Sequence, residues 1–246
     1  MRYQVLGAVA VLSDDGTWRE APTAKQRTLL ASLLIRANEW VTAARLVELV
    51  WAGQPPRSAY GNLKTYVWRL RTLLAAAGHD GDQLESRPGG YRLRVEPGEL
   101  DLHAFDALTT SGRRALTGGD PAGAVRLFAA ALTLWPAQPA GDASTALSEV
   151  DAVRLRELLG NAQAGMVEAQ LAEGRPDGTI PLLRALVADQ PLGEHWWALL
   201  IRALAQAGRR AEAVAAYQRV CRLLDRELGL RPGSGLRAAY DLVLTG

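Results

Sequence analysis

Residues 57–74 read RSAYGNLKTYVWRLRTLL. Apolar residues recur every three or four positions along this stretch, at Ala59, Leu63, Val67, Leu70 and Leu74. This period is typical of a helix with one buried face. The stretch has four basic residues and no acidic one, and a tryptophan lies on its other face. Such a face indicates a partner that is negatively charged and partly flat.

The composition sets the broad class of protein. A chain of 246 residues with 48% hydrophobic residues can form one large domain or two modest ones. Its single cysteine, Cys221, excludes an intrachain disulfide and is expected to be a core or half-buried thiol. The apolar run at the start is too short for a signal peptide or a membrane span. We therefore expect a cytoplasmic protein with no membrane partner.

The charge is distributed unevenly along the chain. Residues 1–96 contain thirteen Lys or Arg and nine Asp or Glu, a net charge of +4, whereas the remainder carries −2. Only Lys25 and Lys64 are lysines. Because arginine is abundant throughout, its abundance alone does not indicate nucleic-acid binding. The concentration of basic residues within 57–71 is the more specific signal.

The elements before this stretch are predicted from local signals. Residues 3–12 are rich in β-branched and apolar residues and predict one strand, and a second short strand is expected around Trp18. Thr23 and Gln26 have the spacing of a capping box, which predicts the start of a helix. Asn38 is predicted to end that helix.

A second helix and a hairpin flank the quoted stretch. Thr42 is the predicted N-cap of the second helix, and Gly53-Gln54-Pro55-Pro56 is predicted to stop it. After the third helix, residues 84–86 and 91–95 are predicted to form a β-hairpin around Pro88-Gly89-Gly90. Three short helices and a hairpin, preceded by a small sheet, have the order of a winged helix-turn-helix with an N-terminal strand platform.

The character of the chain changes near residues 97–105, where Ala/Leu-rich helical sequence begins. Similar segments start at Gly119, Gly174 and Gly208, and the last two are 34 residues apart, which is the tetratricopeptide period. Residues 135–145 are predicted to be a long loop. The predicted fold is mainly α: an α/β winged helix-turn-helix domain, residues 1–96, followed by an all-α tetratricopeptide-like domain, residues 97–246.

The ordered motifs resemble the Streptomyces antibiotic regulatory protein family of transcription activators. The N-terminal half contains, in order, VLG, KQRTLLASLLIRAN, LVELVW, PPRSAYGNLKTYVWRLRTLL and RPGGYRL. The C-terminal half contains ELDLHAFDAL, GDPAGAVRLFAAAL and a long block beginning QPLGEHWWALL, which is similar to the bacterial transcriptional activation domain. The chain resembles the small members of the family, and it has no phosphate-loop motif.

The resemblance implies an OmpR-type winged helix that binds double-stranded promoter DNA. Two protomers would lie side by side as a homodimer on tandem direct repeats upstream of biosynthetic genes for antibiotics and other secondary metabolites. They would help to recruit RNA polymerase through its sigma factor and other subunits. The loop 52–56 lies where such proteins contact the polymerase.

The same resemblance implies which residues contact DNA. Thr65 and Arg69 fall at positions that face base edges, with Asn62 as a third candidate. Phosphate or sugar contacts are expected from Arg57, Lys64, Tyr66, Trp68 and Arg71. In the hairpin, Arg87 is expected to enter the minor groove, with Arg92 as a second candidate.

Structural roles remain open for some of these residues. Arg71 could instead pair with a carboxylate of the helical domain, Tyr66 could belong to the core, and Trp68 could pack between domains. Trp51 is expected in the core rather than at a contact. Trp196 and Trp197 are expected to pack between helices, and the three histidines are expected to be incidental.

Two other classes of function are alternatives to a DNA-binding activator. A tetratricopeptide-type scaffold could use its N-terminal domain only to dock proteins, but the absence of acidic residues on the third helix favours DNA. The sequence contains no G-x-S-x-G or H-E-x-x-H motif and no paired Cys or His at metal spacing. We therefore expect no catalytic residues, no metal and no cofactor.

Overall fold

The computed structural model describes residues 1–135 and 147–245. The chain divides into two compact units. The first comprises Met1–Leu108 and Ala130–Gly160, and the second comprises Thr109–Ala129 and Asn161–Gly246. Except for its first residue, the predicted loop 135–145 lies outside the described residues. The domain boundary between residues 96 and 97 stays a prediction.

A three-stranded antiparallel sheet begins the first unit. Its strands, in spatial order, are β1 (Tyr3–Gln4), β2 (Ala10–Leu12) and β3 (Trp18–Glu20). The prediction of a single strand over residues 3–12 was wrong. The run is interrupted because the backbone N–H groups of Val5 and Leu6 donate to the Asp101 carboxylate, at 2.9–3.0 Å, instead of to a neighbouring strand.

Asp101 is the buried residue that fixes this interruption. Its carboxylate also accepts the Leu102 N–H at 2.8 Å, in the first turn of the helix that Asp101 begins. Burial raises the pKa of Asp101, although the N–H groups of Leu6, Val5 and Leu102 act in the opposite direction. A parallel bridge between Tyr3 and Leu100 lies beside the same residues. The N-terminal sheet is thus tied to the segment that follows the hairpin.

The three predicted helices are present. They are α1 (Ala24–Leu34), α2 (Ala43–Trp51) and α3 (Ala59–Ala76). Both predicted N-caps are confirmed, because the Thr23 hydroxyl accepts the Gln26 N–H and the Thr42 hydroxyl accepts the Arg45 N–H. The Gln26 side chain is fully buried and forms no hydrogen bond, so only one half of the predicted capping box forms.

The end of α1 differs from the prediction. The helix stops at Leu34, four residues before Asn38. Asn38 has a positive φ of 69°, and its side-chain amide forms hydrogen bonds of 2.9 and 3.0 Å with the carbonyl and N–H of Val95. This pairing with the chain after the hairpin holds Asn38 in a non-helical conformation.

The predicted hairpin is confirmed, with strand ends shifted by one or two residues. Its strands are β5 (Leu84–Arg87) and β6 (Gly90–Leu93), and β6 also pairs antiparallel with β4 (Val41–Thr42). Pro88 and Gly89 form the turn, where Gly89 has a φ of +83°. A Cβ at Gly90 would lie 2.8 Å from the Val41 carbonyl oxygen, so only glycine fits there. This arrangement of helices and hairpin is a winged helix-turn-helix, as predicted.

The rest of the described chain is helical. Its helices are α4 (Asp101–Thr117), α5 (Pro121–Thr133), α6 (Glu149–Ala172), α7 (Ile180–Asp189), α8 (Glu194–Gln206), α9 (Arg210–Leu228) and α10 (Ser234–Thr245). Gly119, Gly174 and Gly208, at which the similar segments start, each follow a helix end with a positive φ of 72–82°, a conformation that favours glycine after a helix. No helix among the residues described has the length and apolar character to cross a membrane.

The second unit has its own hydrophobic core. Leu183, Leu200 and Val220 are buried in it together with Trp196 and Trp197, which confirms that the two tryptophans pack between helices. The indole N–H of Trp196 donates to the Gln190 side chain at 3.2 Å, and that of Trp197 donates to the Pro191 carbonyl at 2.9 Å. The predicted fold class, a winged helix followed by an all-α part with a tetratricopeptide period, is confirmed.

Candidate nucleic-acid interface

The inner side of α3 is built as the apolar period predicts. Ala59, Leu63, Val67, Leu70 and Leu74 are all buried. This stripe packs α3 against α1 and α2. Because successive residues of a helix are about 100° apart, one buried stripe leaves the opposite side of α3 facing outward.

Three cations at or near α3 are free to bind a ligand. Arg57, Lys64 and Arg69 are exposed, and none of them has an ion pair or side-chain hydrogen bond with another described residue. The helix contains no aspartate or glutamate that could neutralise them. An exposed face with unpaired cations and no anions suits a polyanion such as DNA.

Asn62 and Thr65, two of the residues predicted to face base edges, lie in the first half of the same helix. Asn62 is half-buried, and its amide donates to the Ser58 hydroxyl at 3.2 Å. Thr65 is exposed, and its hydroxyl donates to the Gly61 carbonyl at 3.3 Å. The N-terminal part of a recognition helix is the part that usually reaches base edges. The base contacts of both residues stay a prediction.

Arg71 is held inside the first unit. Its Nε and Nη2 donate to the carbonyl oxygen of Leu84, at 2.9 and 2.6 Å, and Nη2 also lies 3.2 Å from the hydroxyl of Ser86. Neither partner is a carboxylate. The arginine therefore ties α3 to strand β5 of the hairpin, and its predicted phosphate contact stays a prediction.

Tyr66 lies in a stack of side chains rather than on the open face. Its ring is half-buried and stacks on Trp51, with ring centroids 5.9 Å apart and planes inclined by 15°. The ammonium group of Lys25 lies 5.1 Å from the centre of the Trp51 ring. Trp51 itself is buried, as predicted. This stack joins the start of α1 and the middle of α3 to the end of α2.

Trp68 is 64% exposed, so it does not pack in the core of the first unit. Tyr60, two turns earlier on the same helix, is 57% exposed and was missed as a candidate. The helical spacing puts Tyr60 beside the buried stripe, so the period alone gave no signal that its ring is exposed. Exposed aromatic rings on α3 give it apolar as well as cationic surface.

The hairpin arginines both lie against one tryptophan that the sequence interpretation missed. The guanidinium carbons of Arg87 and Arg92 are 4.3 and 4.6 Å from the centre of the Trp40 ring. Arg92 is also paired with Glu85, with Nε 2.8 Å from the carboxylate. Arg87 is exposed at the tip of the hairpin and has no anionic partner among the residues described. Arg87 is thus oriented by Trp40 and free to bind, whereas Arg92 is committed to Glu85.

Comparison with known protein families matches both halves of the chain. Residues 100–244 match the bacterial transcriptional activator domain, and residues 20–93 match the C-terminal domain of transcriptional regulatory proteins. The second match covers α1 to β6, which includes all the predicted contact residues.

The chain also has relatives that are similar over nearly all of its own length. It is 33% identical to the regulatory protein DnrI of Streptomyces peucetius, covering 99% of this chain and 92% of DnrI. It is 35% identical to the transcriptional regulatory protein MoaR1 of Mycobacterium tuberculosis, covering 99% of this chain and 79% of MoaR1. It is 34% identical to the regulatory protein AfsR of Streptomyces coelicolor, of which it spans 24%.

One solved structure is similar over nearly the whole chain. It is Mycobacterium tuberculosis EmbR in complex with a low affinity phosphopeptide, which aligns with a TM-score of 0.87 at 34% identity. The alignment covers 98% of this chain and 64% of the EmbR chain. The fold of the chain, a winged helix followed by a helical region, is therefore shared with a transcriptional regulatory protein.

Proposed function

This chain belongs to the Streptomyces antibiotic regulatory protein family of transcriptional activators, and on that premise we propose that it binds tandem direct repeats in promoter DNA. The promoters would be those of biosynthetic genes for secondary metabolites. Two protomers would lie side by side on the repeats and recruit RNA polymerase. The proposed role is regulatory and needs no catalytic step and no cofactor.

The observation that supports this proposal best is the outer side of α3. It bears Lys64 and Arg69, and Arg57 precedes it, and none of these cations has an anionic partner among the residues described. A helix fits the major groove of B-DNA, which is about 12 Å wide. Neutralising phosphates releases condensed counterions, which makes such cations favourable for DNA binding.

Each contact has a distinct task in this proposal. Arg69 donates two hydrogen bonds to a guanine, which is the commonest specific contact in the major groove. Lys64 and Arg57 bind phosphates and fix the register of α3 without reading sequence. Arg87, oriented by Trp40, enters the minor groove beside the site, where the negative potential favours arginine. Arg71 acts indirectly, because it holds the hairpin at a fixed position relative to α3.

Recruitment of RNA polymerase is assigned to the loop before α3 and to the helical residues that follow the hairpin. The loop from Ala52 to Pro56 connects α2 to α3, and all five of its residues are exposed. The helical residues from 100 onward match the activator domain model, and activation is assigned mainly to them. Sigma factor and other polymerase subunits are the proposed partners.

Protein binding by the second unit is the other candidate function. A groove of about 430 Å³ lies among α7, α8 and α9. Trp197, Leu200 and Val187 contribute apolar surface to it, and Arg184 and Arg219 are also among its lining residues. This groove favours a protein-contact role for the unit, which is compatible with activation and does not require DNA binding.

Two measurements test the proposal. Pure protein is titrated into duplexes from promoters near its own gene in an electrophoretic mobility assay, with an unrelated duplex of equal length as control. The expected result is retardation of at least one promoter fragment in two steps, one for each protomer. In vitro transcription with RNA polymerase then tests activation. Retardation of no fragment above the control would refute the DNA-binding proposal and leave the protein-binding function.

A further inference from the structure

The side of α3 opposite its buried stripe has an unusual composition. Gly61, Thr65, Trp68 and Thr72 follow one another at spacings of four, three and four residues, so they lie in one line along the helix. All four are exposed, and none is charged. We call these four residues the outer stripe. It is the part of α3 that would come closest to the floor of the major groove.

The threonine hydroxyls of the outer stripe are already engaged. The Thr65 hydroxyl donates to the carbonyl of Gly61 at 3.3 Å, and the Thr72 hydroxyl donates to the carbonyl of Trp68 at 3.1 Å. Each hydroxyl has a single hydrogen to donate, and both hydrogens are used within the helix. What these threonines offer a ligand is therefore chiefly a methyl group. The 64% exposed indole between them adds a large apolar surface, with its N–H as a single donor.

Gly61 leaves the first turn of the outer stripe open. A Cβ at this position would meet no atom of the described residues within 4 Å, so none of them fills the space beside it. A ligand can therefore approach the backbone of α3 closely at this point. The adjacent Thr65 methyl and Trp68 ring would then reach the same ligand surface.

The cations of α3 lie to the sides of the outer stripe. On a helix with 100° per residue, Lys64 lies on one side of the Gly61–Thr65–Trp68 line and Arg69 lies on the other. Both are exposed and unpaired among the residues described. The apolar line thus has a cation on each side. Lys64 can bind a phosphate at the border of the groove, and Arg69 can reach a guanine beside the apolar contact.

We propose that the outer stripe, with Trp68 at its centre, reads the 5-methyl groups of thymines in the operator. The proposal rests on the DNA-binding function proposed above and specifies the base feature that is read. Thymine is the base that presents an apolar group in the major groove, whereas the other groove-floor groups are hydrogen-bond donors and acceptors. The methyl groups and the indole of the outer stripe can cover such an apolar group. The outer stripe has few donors that could form hydrogen bonds with the polar groups of the other bases.

The test uses the full-length protein and a duplex recovered with it from a randomised library by in vitro selection. Each thymine of that duplex is replaced, one at a time, by deoxyuracil, which pairs identically and lacks the methyl group. Dissociation constants are measured by fluorescence anisotropy at one fixed salt concentration. Because burying one methyl group is worth about a fourfold change in affinity, we expect about fourfold weaker binding at one or two thymines in each repeat.

Variants assign the effect to the outer stripe. Trp68→Ala is expected to bind the thymine and uracil duplexes equally, and Thr65→Ser, which removes only a methyl group, is expected to lose the discrimination at one position. Trp18→Ala removes an exposed tryptophan from β3 and is expected to keep the full discrimination. If Trp68→Ala does not bind measurably, Thr65→Ser decides the result.

The outcomes separate this inference from the proposed function. The selection could yield a specific duplex that the wild-type protein binds equally well when any thymine is replaced by uracil. That result would overturn thymine reading and leave the DNA-binding proposal intact. Full discrimination by both Trp68→Ala and Thr65→Ser would also overturn it. Failure of the selection to enrich any duplex would overturn both proposals together.

Discussion

The guanidinium of Arg36, on α1, lies 2.7 Å from the carboxylate of Asp151, on α6, and that carboxylate is fully buried. The hydroxyls of Ser32 and Ser148 donate to the same carboxylate at 3.2 and 2.8 Å. Both helices contribute these residues to the first unit. The start of α6 is therefore fixed to the first helix of the winged helix-turn-helix by an ion pair whose buried carboxylate accepts hydrogen bonds from three side chains.

Asp151→Asn is expected to lower the free energy of unfolding of the first unit by about 3 kcal/mol, because removing one charge leaves the other charge buried without its partner. Urea denaturation measures this difference. Glu48→Gln is the control, since it breaks an exposed ion pair with Arg45 that is worth at most about 1 kcal/mol. Equal destabilisation by the two substitutions would show that the buried pair contributes no more than a surface pair.

Arg71→Ala is expected to destabilise the hairpin by about 1.5 kcal/mol, because the carbonyl of Leu84 loses a charged donor. The dependence of DNA binding on salt is expected to stay the same, since Arg71 is engaged within the protein. Urea denaturation and the slope of log K against log salt measure the two effects. A slope lower by about 1 would instead assign Arg71 to a phosphate.

Arg69→Ala is expected to reduce specific affinity by about 1–3 kcal/mol and to relax the preference at one base pair. Lys64→Ala is the matched comparison on the same helix. It is expected to weaken binding to all sequences alike and to lower the salt slope by about 1, because it contacts a phosphate. Binding to a set of single-base operator variants measures both. An unchanged base preference in Arg69→Ala would refute the base-reading role.

Trp40→Ala is expected to weaken DNA binding by about 0.5–1 kcal/mol, the size of an exposed cation–π contact, because Arg87 is no longer oriented. Trp40→Phe keeps an aromatic face and is expected to restore part of the affinity. In an Arg87→Ala background, Trp40→Ala is expected to have little further effect. Anisotropy titrations of the single and double variants measure this coupling, and fully additive losses would show that Trp40 does not act through Arg87.

Local signals in the sequence were sufficient for most elements of the fold. Thr23 and Thr42 cap their helices as predicted, because capping depends on residues three positions apart. The strand predicted over residues 3–12 failed because Asp101, about 95 residues away, takes the hydrogen bonds of its centre. Gln26 has the spacing of a capping box, but its buried side chain forms no hydrogen bond and therefore does not complete the box.

The candidate interface was predictable where it depends on helix period alone. The inward placement of Leu63, Val67 and Leu70 follows from their spacing. The stacking of Arg87 on Trp40 joins residues 47 positions apart across two strands, and local pattern holds no signal for it. Local pattern also holds no signal for the contact of Arg71, because its partner is a backbone carbonyl, a group that every residue has.

The DNA-binding part is expected to need more of the chain than the winged helix itself. The sequence alone places the winged helix in residues 1–96, and a chain cut after residue 100 contains all of it. That cut removes Asp101, which satisfies the N–H groups of Val5 and Leu6, and Asp151, which neutralises Arg36. Each buried polar group left without a partner costs about 1–3 kcal/mol. A chain of residues 1–160 retains both aspartates and every residue of the first unit.

We therefore expect residues 1–160 to unfold cooperatively and to bind DNA, and residues 1–100 to melt at a lower temperature and to bind more weakly. Neither is expected to activate transcription, because both lack α7 to α10. Thermal denaturation by circular dichroism, anisotropy titration and in vitro transcription measure the three properties. Equal melting temperatures for the two chains would show that Asp101 and Asp151 contribute little to the winged helix. Full activation by residues 1–160 would show that the second unit is not the activating part.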